Sequence, residues 1–310
     1  MHKLTQEFVH LLAETVVILK RAKRAHWKPS VNHFVEVLVE DLRFLCGHRP
    51  ASHMLSLKER EQISRDNHEK HAEVRAQAAG DKLGFPERFS WLDFGGESYI
   101  TPVKNQEFCA ACAAFSIATA IETIAHIKFK TPVSSNETWP LQELSAAQLF
   151  FKSGDDHDCK TGWNVEDALD FCKNTGVVPE ADFPFTNDIQ NQSLPPGWQD
   201  RITRITAWKV LSSHEDMKWW LSTKGPLVAI MIVHLDFCIY GEGTYTYVMG
   251  PAIGEHAVCC VGYDDSREAW LVKNSWGSRW GDQGFFWIGY GQSGIDAEMW
   301  AIEDLAWPAS

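Results

Sequence analysis

KNQEFCAACAAFSIATAIETIAHI, residues 104–127, decides the fold. Ile117, Ile121 and Ile124 recur at helical spacing, the stripe of a helix buried on one face. Cys112 then sits at the helix N-terminus, where unpaired N–H groups and the macrodipole favour a thiolate. Gln106 precedes it on the approach, with a side-chain amide able to donate to an oxyanion. Other readings stand beside this one. Cys109 and Cys112 make a C-x-x-C, which alone fits a redox pair or half a zinc site. No second C-x-x-C accompanies it, which argues against structural zinc. A lone cysteine at a helix start is more often a packed core residue than a nucleophile.

A cysteine nucleophile needs a base, and the base needs an orienting group. GEHAVCCVGY (254–263) places His256 at the head of an apolar, β-branched run that reads as a buried strand. AWLVKNSWGSRWG (269–281) ends a second such run on Asn274 and Trp276. Taken singly, His256 reads as a strand histidine and Asn274 as a turn residue. Together with Cys112, in this order, they supply nucleophile, base and orienter.

These segments resemble those of the papain-like cysteine proteases. TPVKNQEFCAACAAFS is similar to the family's nucleophile segment, GEHAVCCVGY to its histidine segment, and VKNSWGSRWGDQGFF to its asparagine segment. FPERFSWLDF (85–94), LSAAQLF (144–150) and CKTGW (159–163) extend the likeness over about 84–308. The resemblance implies an α+β, papain-like two-lobe fold, a helical lobe beside a β-rich, barrel-like lobe. It also implies catalysis by Cys112, His256 and Asn274, with Gln106 in the oxyanion hole. Trp276 would shield the His–Asn hydrogen bond, and Cys109 would pair with Cys159. Gly162 and Trp163 would lie in the substrate cleft, the Gly162 backbone pairing with an extended peptide. The expected reaction is peptide hydrolysis through an acyl-thioester, with no metal or organic cofactor.

The segment departs from the family pattern at 110–113, where Ala110, Ala111 and Ala113 surround Cys112. Ala113 in place of a large aromatic predicts open space on the leaving-group side. That keeps an acyl transferase, amide ligase or thioesterase as an alternative, with a non-catalytic binding protein of the same fold behind it. Glu255 faces either solvent or the cleft; in the cleft it would favour basic substrate side chains.

The 310 residues leave room for two lobes and an appendage, divided as 1–82, 83–205 and 206–310. A net charge of −12 argues against nucleic acid or an anionic membrane as partner, and no apolar run reaches the length of a membrane span. Met1-His2-Lys3 followed by Glu7, His10 and Glu14 leaves no clean apolar core for a signal peptide, which predicts a cytoplasmic chain or export by another route. Eight cysteines are too few for a disulfide scaffold; Cys46, Cys172, Cys238, Cys259 and Cys260 read as buried thiols. Residues 1–82 read as three helices, near 4–26, 31–46 and 55–79, the last with a solvated polar face. They form either an inhibitory prosegment or a permanent helical domain. If they cross Cys112, the chain is a zymogen.

The remainder divides by period. Asn164 is a cap for VEDALDFCKN, and Ser212 with Glu215 opens a short helix before Gly225-Pro226. Residues 177–200, rich in Pro, Asn and Gln, read as loop. TAWKVL (206–211), LVAIMIV (227–233), HAVCCVGY (256–263), EAWLVKN (268–274) and GFFWIGY (284–290) read as strands.

Overall fold

The computed structural model describes residues 10, 13–18, 26–32, 34, 41–77, 84–134, 138, 140–154, 156–186 and 191–308. A long helix, α2 (Cys112–Phe129), stands between a helical lobe and a sheet. Its first fifteen residues, Cys112 to His126, are all buried, so the helix is enclosed on every side rather than along one stripe. Small residues make that tolerable: five alanines let neighbouring elements approach closely. By length and composition α2 would suit a membrane, but 83% of it lies inside the fold, as in the core helix of a globular protein.

On one side of α2 lie α3 (Ala146–Phe151) and α4 (Val165–Asn174). Asn164 caps α4 as expected, its Oδ1 accepting from the N–H groups of Glu166 (2.7 Å) and Asp167 (3.2 Å). On the other side the strands form a nine-stranded sheet among the described residues. Its centre is β5 (Leu227–His234), β7 (Ala252–Asp264), β8 (Ala269–Lys273) and β9 (Phe285–Gly289), antiparallel throughout. Every residue of β5 and β8 is buried, which is why these runs show no alternation. α5 (His214–Thr223) is capped by Ser213, one residue later than the sequence suggests.

The sheet reaches beyond 206–310. β1 (Trp27–Pro29) adds to the edge of β6 (Tyr240–Tyr245), and β2 (Arg88–Ser90) pairs with β7. β1 replaces the expected plain break at Pro29: Trp27 is buried and its Nε1 donates to Thr246 O (3.0 Å). Proline suits this outer strand, where a missing N–H leaves no ladder bond broken.

The N-terminal helices differ from expectation. Residues 10 and 13–18 are helical, His26 is not, and the rest of the expected 4–26 helix lies outside the described residues. In the 31–46 segment residues 33 and 35–40 lie outside them; Leu42–Leu45 is a 3-10 turn, and the chain is extended at Cys46. The third helix is present as α1 (Leu57–Gln77), opened by a capping box between Ser56 and Glu59. Its outer polar face is solvated as expected, but the face it buries is polar as well. Arg60, Ser64, Asn67 and His71 form a buried stripe against the sheet lobe. Ser64 Oγ donates to Asp296 Oδ1, Asn67 Nδ2 to Asp296 O (2.8 Å), and His71 Nδ1 meets Glu215 Oε1 at 2.6 Å.

A buried charge cluster ties the lobes. Glu122 of α2 takes Lys104 Nζ (2.9 Å) and the Leu144 N–H (2.6 Å), and Thr101 Oγ1 donates to its other oxygen. Lys273 Nζ donates to that threonine hydroxyl (3.1 Å). Burial disfavours the Glu122 carboxylate, but Lys104 and Lys273 outweigh it and hold its pKa below the usual range. Burial also draws Lys273 down to about 8, partly offset by Glu122. Glu122→Ala leaves two buried ammonium groups short of their main counter-charge. The expected loss is about 3–5 kcal/mol of stability, read from the urea midpoint.

Candidate active site

The start of α2 meets the middle of β7. Cys112 Sγ accepts from the Ala257 N–H at 3.3 Å, so the sulfur lies against the residue following His256. His256 Nε2 is 2.8 Å from Asn274 Oδ1. The Ser275 N–H donates to the same oxygen (2.8 Å), which fixes the amide orientation. Since Oδ1 can only accept, Nε2 carries the proton and Nδ1 is left as a base. Nδ1 is buried. Trp276 lies beside the ring, centroids 4.8 Å apart, and is itself fully buried.

Gln106 joins this group through Ser275, a residue the sequence did not single out. Ser275 Oγ donates to Gln106 Oε1 (2.6 Å), and the Gln106 N–H donates to Ser275 O (2.8 Å). The Gln106 amide is thereby turned so that Nε2 donates to Cys109 O (2.8 Å) and Leu45 O (3.3 Å). Cys109 is bonded to Cys159, which ties the approach to α2 to the loop before Gly162. The other cysteines among the described residues are free thiols, all buried except the half-buried Cys46.

Residues 45–49 run through this site. The Gly47 N–H donates to Cys112 Sγ (3.3 Å), and Leu45 O occupies the position at which Gln106 Nε2 points. The Trp163 N–H donates to Gly47 O (2.8 Å), the Arg49 N–H to Trp163 O (3.3 Å), and the His48 N–H to Glu255 O (3.2 Å). The segment thus runs extended and parallel to 163, spanning both lobes. Upstream, Phe34 sits edge-on to Trp276, centroids 5.5 Å apart. Gly47 is required by closeness: a Cβ there would lie 2.0 Å from Ala110 O. Gly47→Ala therefore unseats the segment. An overpacking cost of roughly 1–3 kcal/mol raises the open fraction on the order of tenfold to a hundredfold. The same rise is expected in the labelling rate of Cys112 by an epoxide at neutral pH.

Burial controls the titration. It pushes the Cys112 thiol up to about 11, with the Ala257 and Gly47 N–H groups offsetting only part. It draws His256 down to about 4, partly offset by Asn274 and the Leu45 backbone. In this state burial outweighs the lowering expected from the helix N-terminus and disfavours the charged form of both sulfur and imidazole.

Residues 85–303 match the papain family of cysteine proteases. The chain belongs to this family. It is 32% identical over 201 residues to digestive cysteine proteinase 3 of Homarus americanus, 63% of this chain and 59% of that protein. It is 30% identical over 209 residues to human cathepsin O, 66% of this chain and 61% of the relative. The chain thus matches about three fifths of the length of these relatives. Procathepsin L2 from Tenebrio molitor larval midgut superposes with a TM-score of 0.73 at 23% identity, over 97% of this chain and 91% of that one. ProCathepsin B S9 from Trypanosoma congolense gives 0.68 at 20%, over 94% and 97%. The fold is papain-like, α+β with two lobes.

Within this papain-family frame three expectations change. Ala113 is fully buried, so no open space exists there in this state. Pairing with an extended strand falls to the Trp163 backbone rather than to Gly162, whose N–H donates to Asp158 O (3.0 Å). Gly162 instead provides room: at φ +71° its Cβ would lie 2.1 Å from Gly47 O. Glu255 faces neither solvent nor an open cleft; it is buried against Arg60 of α1, Oε1 to Nε 3.6 Å.

Proposed function

We propose that this chain is the latent form of a cysteine peptidase, with Cys112 as nucleophile, His256 as base, Asn274 as orienter and Gln106 as oxyanion donor. The observation that carries the reading is one cleft holding these four residues, covered by residues 45–49 of the same chain. The sulfur is met there by an amide hydrogen rather than a carbonyl carbon, so the segment covers the nucleophile without being presented to it.

Once the segment leaves, His256 Nδ1 takes the proton from Cys112 Sγ. The thiolate adds to a peptide carbonyl, and the oxyanion accepts from Gln106 Nε2 and the Cys112 N–H. The imidazolium returns its proton to the leaving amine, giving an acyl-thioester. Water, deprotonated by His256, then releases the acid. The strand pairing of 47–49 with Trp163 supports an extended peptide as the substrate. The relatives reported above are named as a proteinase and a cathepsin, and no observation favours the transferase or the non-catalytic reading. Residues 1–82 act as the inhibitory prosegment.

The test is a vinyl-sulfone probe on the chain after processing, followed by turnover of a peptide library. Labelling at Cys112, lost in Cys112→Ala, and peptide cleavage support the reading. An unlabelled processed chain, or one acting on thioesters but inert on peptides, overturns it.

A further inference from the structure

We infer that the pocket between α1, β6 and the turn joining β7 to β8 binds a small polyphosphate anion, and that the bound anion holds the latent chain closed. The site itself stands apart from the peptidase reading above; its effect on latency rests on that reading.

The pocket has a volume of about 980 Å³. His26, just before β1, His68 and Arg75 on α1, and Arg267 in the turn after β7 bring basic side chains to it. His68 and Arg75 are seven residues apart, two helical turns, and so share one face of α1. In a chain of net charge −12 this concentration is local. At physiological salt, charges beyond about 8 Å are largely screened, so the pocket governs a small ion more than the net charge does.

The donors here are under-used. Arg75 Nη1 donates to Asp265 O (3.3 Å), but its Nε lies 4.0 Å from Asp265 Oδ2, too far for a hydrogen bond. Arg267 Nε is likewise 3.8 Å from Asp264 Oδ2. Its guanidinium carbon lies 4.8 Å from the centre of the Trp287 ring, which fixes the plane without occupying the N–H edge. His68 Nδ1 is buried with no hydrogen-bond partner among the described residues. The acidic groups do not cancel this charge. Asp265 lines the same pocket, but its Oδ1 takes Lys218 Nζ and the Tyr290 hydroxyl (2.8 Å). Glu268 is exposed to solvent, where its charge is screened.

The donors come from three sides, and Thr244 adds a hydroxyl from β6. That arrangement suits a tetrahedral oxyanion, whose oxygens face several ways, better than a planar carboxylate. Guanidinium forks bind phosphate oxygens in pairs. The volume exceeds what one ion fills, which points to two or more linked phosphates. His26, His68 and Arg75 belong to the N-terminal segment, Arg267 and Thr244 to the body. Departure of the segment splits the site, so an anion that needs the whole site favours the closed chain by the factor 1 + [L]/Kd.

The first test uses pyrophosphate on the intact chain with Cys112→Ala. At millimolar concentration it should raise the unfolding midpoint by a few degrees, and sodium chloride of equal ionic strength should not. Arg267→Gln, at a half-exposed side chain tolerant of exchange, should remove most of the shift, and so should Arg75→Gln. Arg201→Gln removes the same charge beside Asp182 in the helical lobe and should leave the shift intact. No shift, an equal one with chloride, or an undiminished one in both pocket variants overturns the site. The second test uses the unmutated intact chain at a pH low enough for Cys112 to react with an epoxide. Pyrophosphate at ten times its Kd should slow that labelling about tenfold. Unchanged labelling beside a clear midpoint shift overturns the hold on latency. A processed chain that never labels overturns the peptidase reading, while the midpoint shift still decides the pocket.

Discussion

Acid is expected to open the intact chain. An epoxide should leave Cys112 unmodified near neutral pH and label it increasingly as the pH falls from about 6 toward 4, with cleavage near 80–86 appearing over the same range by mass spectrometry. Beneath the segment, burial lowers His256 from 6.5 to about 4 and His48 from 6.5 to about 3, the latter helped by Arg60. With the segment released, these rings meet water and bind protons more readily. Between the two pKa values the open state holds more protons than the closed one. Closure is therefore at full strength above 6.5, weakens as pH falls through the window, and flattens below the lower value. Glu255 and Glu298 act in the opposite sense. Burial raises both, with Arg60 offsetting part, so acid neutralises them in place and relieves the buried charge. Two imidazoles with large shifts outweigh two carboxylates with smaller ones. Asp265 adds to release only in stronger acid: burial works against its charge, but His71 and Lys218 hold it well below the usual range. His48→Gln should move the midpoint of labelling downward in pH, because one of the two protons that drive opening is gone. A labelling rate that is flat with pH would place control outside these histidines.

The segments that carry the site were legible because their chemistry is local. A helix beginning at Cys112, a strand beginning near His256 and a strand ending before Asn274 are each set by short runs of apolar residues. Ser275 was invisible for the opposite reason: a serine in a turn carries no periodic signal, and its role appears only when Gln106 and Asn274 are brought together. α1 misled in a different way. Hydrophobic periodicity assumes that the buried face is apolar, and here the buried face is Arg60, Ser64, Asn67 and His71. Their partners, Glu255, Asp296 and Glu215, lie between 144 and 232 residues downstream, beyond any local pattern. β1 escaped because three residues ending in proline give no strand signal until β6 is there to receive them. A helix N-terminus still favours a thiolate, but the local sequence does not show that a distant segment buries Cys112 and works against it. A peptide laid over Cys112 removes the water and reverses the sign of the net shift.

Removing any member of the Cys112–His256–Asn274 group should cost activity in a graded order, measured as kcat/KM on the processed chain. Cys112→Ala leaves no atom to form the thioester, and turnover should fall by at least about a thousandfold. His256→Ala should do nearly as much damage, since the buried sulfur has no other base: its described hydrogen bonds come from N–H groups, which stabilise a thiolate but accept no proton. Asn274→Ala should cost less and show itself differently. Its Oδ1 holds Nε2 protonated and the ring in place, so without it the imidazole can present the wrong tautomer to sulfur. A lowered kcat with a displaced acid limb of the pH profile is the expected signature, and a change in KM alone would contradict an orienting role. Gln106→Ala should remove one oxyanion donor, about 3 kcal/mol of transition-state stabilisation. Ser275→Ala should follow it in the same direction with a smaller effect, because Ser275 Oγ anchors Gln106 Oε1 and turns Nε2 toward the cleft. If Gln106 and Ser275 act as one device, the loss in the double variant falls short of the sum of the two single losses. Additive losses would mean that Ser275 supports Asn274 through its N–H and leaves the oxyanion donor alone.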